Sequence, residues 1–112
     1  MGGERETVAF ISGKFNVLHP GHLRLFRFAR EVSDRLLVGV YGDHYSDERV
    51  LPEVERLESV LAISWVDDAF IIKDSLRTFE KLNGTTAKDS VVYSFSSKLL
   101  NVSLYLGATR DG

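Results

Sequence analysis

Two short, nearly continuous apolar runs, residues 7–12 (TVAFIS) and 35–40 (RLLVGV), bracket a segment whose apolar residues recur at helical spacing. Runs of that length, apolar throughout and closed by turn residues, suit strands buried on both faces. Between them Leu25, Phe26, Ala29 and Val32 follow an i, i+1, i+4, i+7 pattern, while Arg24, Arg27 and Glu31 fall on another face. A strand, a crossover helix and a parallel strand connect right-handedly in nearly all cases. Residues 7–40 are therefore expected to form one βαβ unit, with ligands at the carboxyl ends of its strands.

The alternation continues downstream. A second helix is expected after Pro52, where Val54, Leu57, Val60, Leu61 and Ser64 repeat at helical spacing, and it leads to a third strand at 68–72. Residues 75–82 read as a short helix stopped near Asn83 and Gly84, and 90–95 (SVVYSF) as a fourth strand, while 99–106 fit neither period cleanly. The fold class expected is α/β, a Rossmann-like and largely parallel sheet with flanking helices. A chain of 112 residues holds one domain, and 44% hydrophobic against 27% charged residues is the balance of a chain that folds.

Composition also removes whole classes of function. A formal net charge of -2 gives no global basic field for nucleic acid or an anionic membrane. The absence of cysteine excludes disulfides and thiolate metal sites, and three histidines without cysteine point to no protein metal site. The apolar run at 8–11 is too short for a signal peptide core or a membrane span, so a cytoplasmic protein is expected.

Between the first strand and its helix stands GKFNVLHPGH, residues 13–22, with a lysine and two histidines where the helix opens. Free backbone N–H groups and the positive end of the helix dipole favour an anion there, and Lys14 adds a full charge. Gly13 and Gly21 leave room for close backbone approach. His19 and His22 are three apart, so a helix starting at Pro20 or Gly21 is expected to turn both imidazoles toward one pocket. The stretch is neither a G-x-G-x-x-G nor a G-x-x-x-x-G-K-[ST] loop. A plainer reading of the histidines is that they only cap the helix turn. Arg24, Arg27 and Arg30 recur every three residues and read as a solvated face, Asp67 and Asp68 as caps where the third strand begins, and His44 as a loop residue.

The string GKFNVLHPGH resembles the G-x-F-D-x-x-H-x-G-H signature of the cytidylyltransferase-like nucleotidyltransferases. The following LRLFRFAREVSDRLLVGVYGD is similar to that family's first helix and second strand. Arg56 and residues 63–71 (ISWVDDAFI) resemble its arginine-led helix and the strand after it, so the resemblance covers roughly residues 8–72. It implies a single nucleotidyltransferase domain that transfers CMP or AMP from CTP or ATP to a phosphorylated sugar, alcohol or similar acceptor and releases pyrophosphate. By that resemblance His19 and His22 are the catalytic pair. Gly13, Lys14, Phe15, Asn16 and Gly21 are nucleotide-binding, and Arg49 reaches the acceptor or the triphosphate. Mg2+ arrives with the nucleotide, and a homodimer is the expected assembly.

Three departures stand beside the resemblance. Asn16 replaces an aspartate, Ser64 replaces an arginine, and the lysine-rich loop is here the acid-rich stretch 43–53. No counterpart of an R-T-x-G-I-S-T-T motif follows, so the domain is expected to be truncated or diverged beyond about residue 82. The alternative function is therefore a nucleotide-binding or interaction domain that has kept the fold with weak or no turnover. A class I aminoacyl-tRNA synthetase fragment shares an H-x-G-H loop, but the chain is too short for that catalytic domain and has no K-M-S-K-S type loop.

Overall fold

The computed structural model describes residues 6–45, 51–78, 93–98 and 100–108. Its elements in chain order are β1 (Thr7–Gly13), α1 (Pro20–Glu31), β2 (Arg35–Tyr41), α2 (Glu53–Leu61), β3 (Asp68–Ile72), β4 (Tyr93–Ser97) and β5 (Val102–Ala108). They build one five-stranded sheet in the order β3-β2-β1-β5-β4.

The first three strands are parallel, with Ile11 of β1 opposite Val38 of β2 and Val38 opposite Ala69 of β3. The expectation of a largely parallel sheet holds for this half and needs correction beyond it. β5 runs antiparallel to β1, with Ile11 opposite Leu104, and β4 runs antiparallel to β5. The physical reason is the connection: the few residues between Ser97 and Val102 can close a hairpin, whereas a parallel neighbour needs a crossover of a dozen or more. The sheet is thus α/β and mixed, with a parallel core flanked by helices.

Both helices cover one face. Ala9, Ile11, Leu36, Val38, Val40 and Leu104 meet Phe26 and Ala29 of α1 and Val60 of α2. On the other face Phe10 stacks between Phe70 and Tyr105, at ring-centroid distances of 5.8 and 6.4 Å. In α2 the buried stripe is rotated from the expected one: Val54 and Leu61 are exposed, while Arg56 and Val60 are buried. An arginine occupies the inward position because backbone carbonyls wait there for its guanidinium.

Polar clips fix the amino ends of the strands and leave the carboxyl ends to the site. The Asp34 carboxylate accepts the Thr7 N–H at 2.8 Å and the Asp34 N–H returns to the Thr7 carbonyl at 2.7 Å. Ser33 donates to the Ala29 carbonyl at 2.6 Å, closing the end of α1. Asp67 accepts the Leu36 N–H at 2.7 Å, so it serves the start of β2 from the segment before β3. Arg27 pairs with Glu31 on the exposed side of α1.

Residues 75–78 are helical, and the rest of the short helix expected at 75–82 lies outside the described residues. The expected fourth strand is found as β4, two to three residues further on, with 90–92 outside the described residues; the ambiguous tail becomes β5. No helix among the described residues is long and apolar enough to cross a membrane.

Phe26 is fully buried beneath the sheet. Phe26→Ala should therefore lower unfolding stability by about 3–5 kcal/mol in urea titration, the usual range for removing a buried aromatic ring. A loss below about 1 kcal/mol would mean that α1 does not pack as described.

Candidate functional site

The geometry begins with the cap of α1. His19 is the N-cap, in extended conformation, and Pro20 fills the first helical position, where a missing N–H does no harm. The His19 Nδ1 accepts the Gly21 N–H at 2.9 Å, and the His22 Nδ1 accepts the His19 N–H at 2.9 Å. This is a capping box built from two imidazoles in place of the usual hydroxyl and carboxylate. The capping reading of the histidines is therefore realised.

Capping has a chemical consequence. A neutral imidazole has one acceptor and one donor nitrogen. With Nδ1 spent as acceptor in both rings, both carry the proton on Nε2. His19 is exposed, and its Nε2–H has no partner among the described residues. It stands at the amino end of α1, where the helix dipole and free N–H groups favour negative charge.

His22 is placed differently. It is 7% exposed, its ring lies edge-on to Phe15 at 5.6 Å, and its Nε2–H donates to the Leu100 carbonyl at 2.7 Å. Leu100 belongs to the turn between β4 and β5, so a residue 78 positions away completes the coordination of this ring. The two imidazoles stand together, ring centroids 6.4 Å apart, but differ in exposure: the N3 position and the capping bond turn His22 inward, while His19 is exposed. The space before Gly21 is also filled, since a Cβ added there would lie 2.7 Å from Leu100 Cδ2.

The loop before the cap is held by its phenylalanine. Phe15 has φ 53°, a left-handed conformation uncommon for a bulky residue, and its ring is buried against Phe26 at 5.6 Å. Such a backbone costs on the order of 1–3 kcal/mol and persists only where packing over-determines it. Gly13 belongs to the same arrangement, because a Cβ there would meet Val102 Cγ1 at 2.9 Å and the Phe15 ring at 3.0 Å. Lys14 is half-buried and its ammonium pairs with no carboxylate among the described residues. Asn16 follows, half-buried, and Arg49 lies outside the described residues.

Arg56 joins the two loops at the carboxyl ends of β1 and β2. With its side chain 3% exposed, it donates to the carbonyls of Lys14 (2.7 Å), Tyr41 (2.7 Å) and Leu51 (2.9 Å) and to the Asp43 carboxylate (2.7 Å). The planar fork of guanidinium suits several fixed acceptors at once in a way a lysine does not. Glu53 completes the set by accepting the Asp43 N–H at 3.0 Å. Sequence reasoning marked Arg56 only as a shared helix feature; the signal it missed is that Arg56 stands one helical turn before the buried Val60, on the inward stripe.

Among the described residues no group of three His, Asp or Glu side chains converges as a metal cage. The carboxylate nearest the loops, Asp43, is already engaged by Arg56.

The fold and the capped turn define a class: an α/β domain whose first strand-to-helix turn presents an N–H donor and a lysine at a helix amino end. The Cytidylyltransferase-like family model matches residues 10–92, and the chain belongs to that family. The match runs past Ile72, where the recognisable motifs end. Among curated relatives, an ethanolamine-phosphate cytidylyltransferase of Arabidopsis thaliana is 32% identical over 101 residues, covering 77% of this chain and 24% of the relative. The FAD synthase of Pyrococcus horikoshii is 33% identical over 78 residues, covering 65% of this chain and 53% of the relative. A lipopolysaccharide core biosynthesis protein of Thermoplasma volcanium superposes with a TM-score of 0.59 at 25% identity, over 66% of this chain and 65% of that one. The chain thus spans between about a quarter and half the length of these two curated relatives.

Removing Arg56 leaves three carbonyls and a partly buried carboxylate without their donor. Arg56→Ala should lower unfolding stability by about 3–5 kcal/mol, and Arg56→Lys should recover only part of it. Denaturant titration of both variants checks this; a lysine as stable as wild type would show that the multiple carbonyl bonds contribute nothing.

Proposed function

We propose that the chain transfers CMP or AMP from CTP or ATP to a phosphorylated small-molecule acceptor, with release of pyrophosphate. The observation that carries this reading is the His19 Nε2–H. The ring is fixed in tautomer and orientation by its own capping bond, and its Nε2–H has no partner among the described residues at the amino end of α1.

In this reaction an acceptor phosphate oxygen attacks the α-phosphorus in line, the new P–O bond forms as the bond to the bridging oxygen breaks, and pyrophosphate departs with that electron pair. The catalysis required is positioning and stabilisation of charge spreading over the phosphates. His19 donates Nε2–H to a phosphate oxygen as charge builds, with Lys14 adding a point charge nearby. A fixed donor of this kind supplies about 2.7–4 kcal/mol to the transition state in comparable oxyanion sites. Magnesium bound with the triphosphate would share that load by neutralising phosphate charge. His22 is first a positioning residue, since it holds the His19 backbone N–H and the Leu100 carbonyl. Its Nε2–H reaches a phosphate only when the β4–β5 turn gives way.

A second reading, a nucleotide-binding domain without turnover, is favoured by that same contact. The Leu100 carbonyl takes the His22 donor and the Leu100 side chain fills the space at Gly21. Binding of CTP or ATP without pyrophosphate release identifies this second reading.

Asparagine is among the best N-cap residues, so His19→Asn separates the two roles of His19: it keeps an acceptor for the Gly21 N–H and removes the outward donor. We expect the melting temperature to stay close to that of wild type and pyrophosphate release to fall by about 100- to 1,000-fold. Undiminished turnover in a folded His19→Asn would contradict the assignment.

A further inference from the structure

Leu100 sits in the β4–β5 turn, past the stretch the family model matches, and meets the histidine motif at two points. Its carbonyl accepts the His22 Nε2–H at 2.7 Å while the His22 Nδ1 accepts the His19 N–H, so both nitrogens of that ring are engaged within the protein. Its side chain lies over Gly21: a Cβ built there would stand 2.7 Å from Leu100 Cδ2 and 3.6 Å from Leu100 Cδ1. The room that a glycine leaves at the start of α1 is taken by a leucine.

The hold on this leucine is local. Among the described residues β4 is an edge strand paired with β5 alone, and the turn between them hangs from that one ladder. The Leu100 N–H donates to the Ser97 Oγ at 3.1 Å, and Asn101 turns the chain at φ 55°, a left-handed conformation that asparagine and glycine tolerate and β-branched residues do not. Leu100 itself is only half-buried where it packs against the core. A hairpin end with so few buried contacts opens far more readily than the whole domain unfolds.

We propose that Leu100 is an autoinhibitory contact: its carbonyl and side chain hold the places that a nucleotide phosphate takes at His22 and Gly21, so that nucleotide binding and closure of the β4–β5 turn exclude each other. That the competing anion is a nucleotide rests on the reading above. A phosphate oxygen is the better acceptor for the His22 Nε2–H, since a charge-assisted hydrogen bond is roughly twice as strong as a neutral one. It displaces the Leu100 carbonyl once the turn moves aside. The coupling is reciprocal: opening the turn tightens nucleotide binding, and bound nucleotide opens the turn. A turn closed about nine-tenths of the time lowers the apparent affinity about tenfold.

The test is calorimetric titration of the full chain with CTP and ATP, each with magnesium, on wild type, Leu100→Ala, Asn101→Val and Asn101→Gly, together with amide hydrogen exchange across the turn. Leu100→Ala clears the methyl groups from Gly21, and Asn101→Val places a β-branched residue at φ 55°. Each should bind nucleotide about tenfold more tightly than wild type, whereas a leucine with a merely structural role gives the opposite sign. Asn101→Gly accepts that φ without strain, keeps the turn closed and should bind no better than wild type. In wild type, saturating nucleotide should speed exchange of the Leu100 N–H. Equal or weaker nucleotide binding in either opening variant that folds, or Leu100 exchange left unchanged or slowed by nucleotide, overturns the proposal. Tighter binding in the opening variants of a chain that releases no pyrophosphate supports the contact and contradicts the transferase reading. Pyrophosphate release with the same nucleotide KM in Leu100→Ala and wild type does the reverse, and absence of nucleotide binding in all four proteins contradicts both.

Discussion

Two hydrogen bonds at the amino end of α1 fix the two histidine rings of this domain. In each a histidine Nδ1 accepts a backbone N–H, from Gly21 to His19 and from His19 to His22. An imidazole that accepts at one nitrogen must carry its proton at the other, so the cap decides which atom of each ring is a donor. Capping and catalysis are often set against each other as explanations of a histidine near a helix start. In the proposed reaction the first prepares the second, because the same bond that satisfies an orphan N–H fixes the tautomer and leaves Nε2–H of the exposed His19 as the outward donor.

The rest of the structure keeps that turn in place. Phe15 holds a left-handed backbone because its ring is buried between His22 and Phe26, and Gly13 is small because that ring and Val102 crowd it. Arg56 anchors the same loop through the Lys14 carbonyl and the next loop through Tyr41 and Asp43, so one side chain ties together the carboxyl ends of β1 and β2. From the far side of the sheet the β4–β5 turn reaches His22 through Leu100. A hairpin outside the family match is thereby coupled to the motif that defines the family.

The parallel half was legible in the sequence because strands buried on both faces announce themselves as continuous apolar runs, as in residues 7–12 and 35–40. The histidine motif was legible as local chemistry, since a capping box is set by an i, i+3 spacing. What the sequence left ambiguous was non-local. In β5, Val102 and Leu104 face the helices while Ser103 and Tyr105 face the other way, and Tyr105 is apolar enough to blur that alternation. Arg56 was marked by the resemblance as the head of its helix, but not as a buried anchor, since its acceptors come from residues 14, 41, 43 and 51 and only the folded sheet brings them together. Phe15 carries no sequence mark of its positive φ, and the link from His22 to Leu100 has no local signature at all.

The protonation and exposure of the two rings carry this reading of the turn most directly, and two-bond 15N–1H correlation spectra of the imidazoles report both without reference to activity. At neutral pH both His19 and His22 should show the proton on Nε2, and added CTP or ATP with magnesium should move the His19 Nε2 resonance downfield. A proton on Nδ1 of His19, or a His19 ring indifferent to saturating nucleotide, would contradict it.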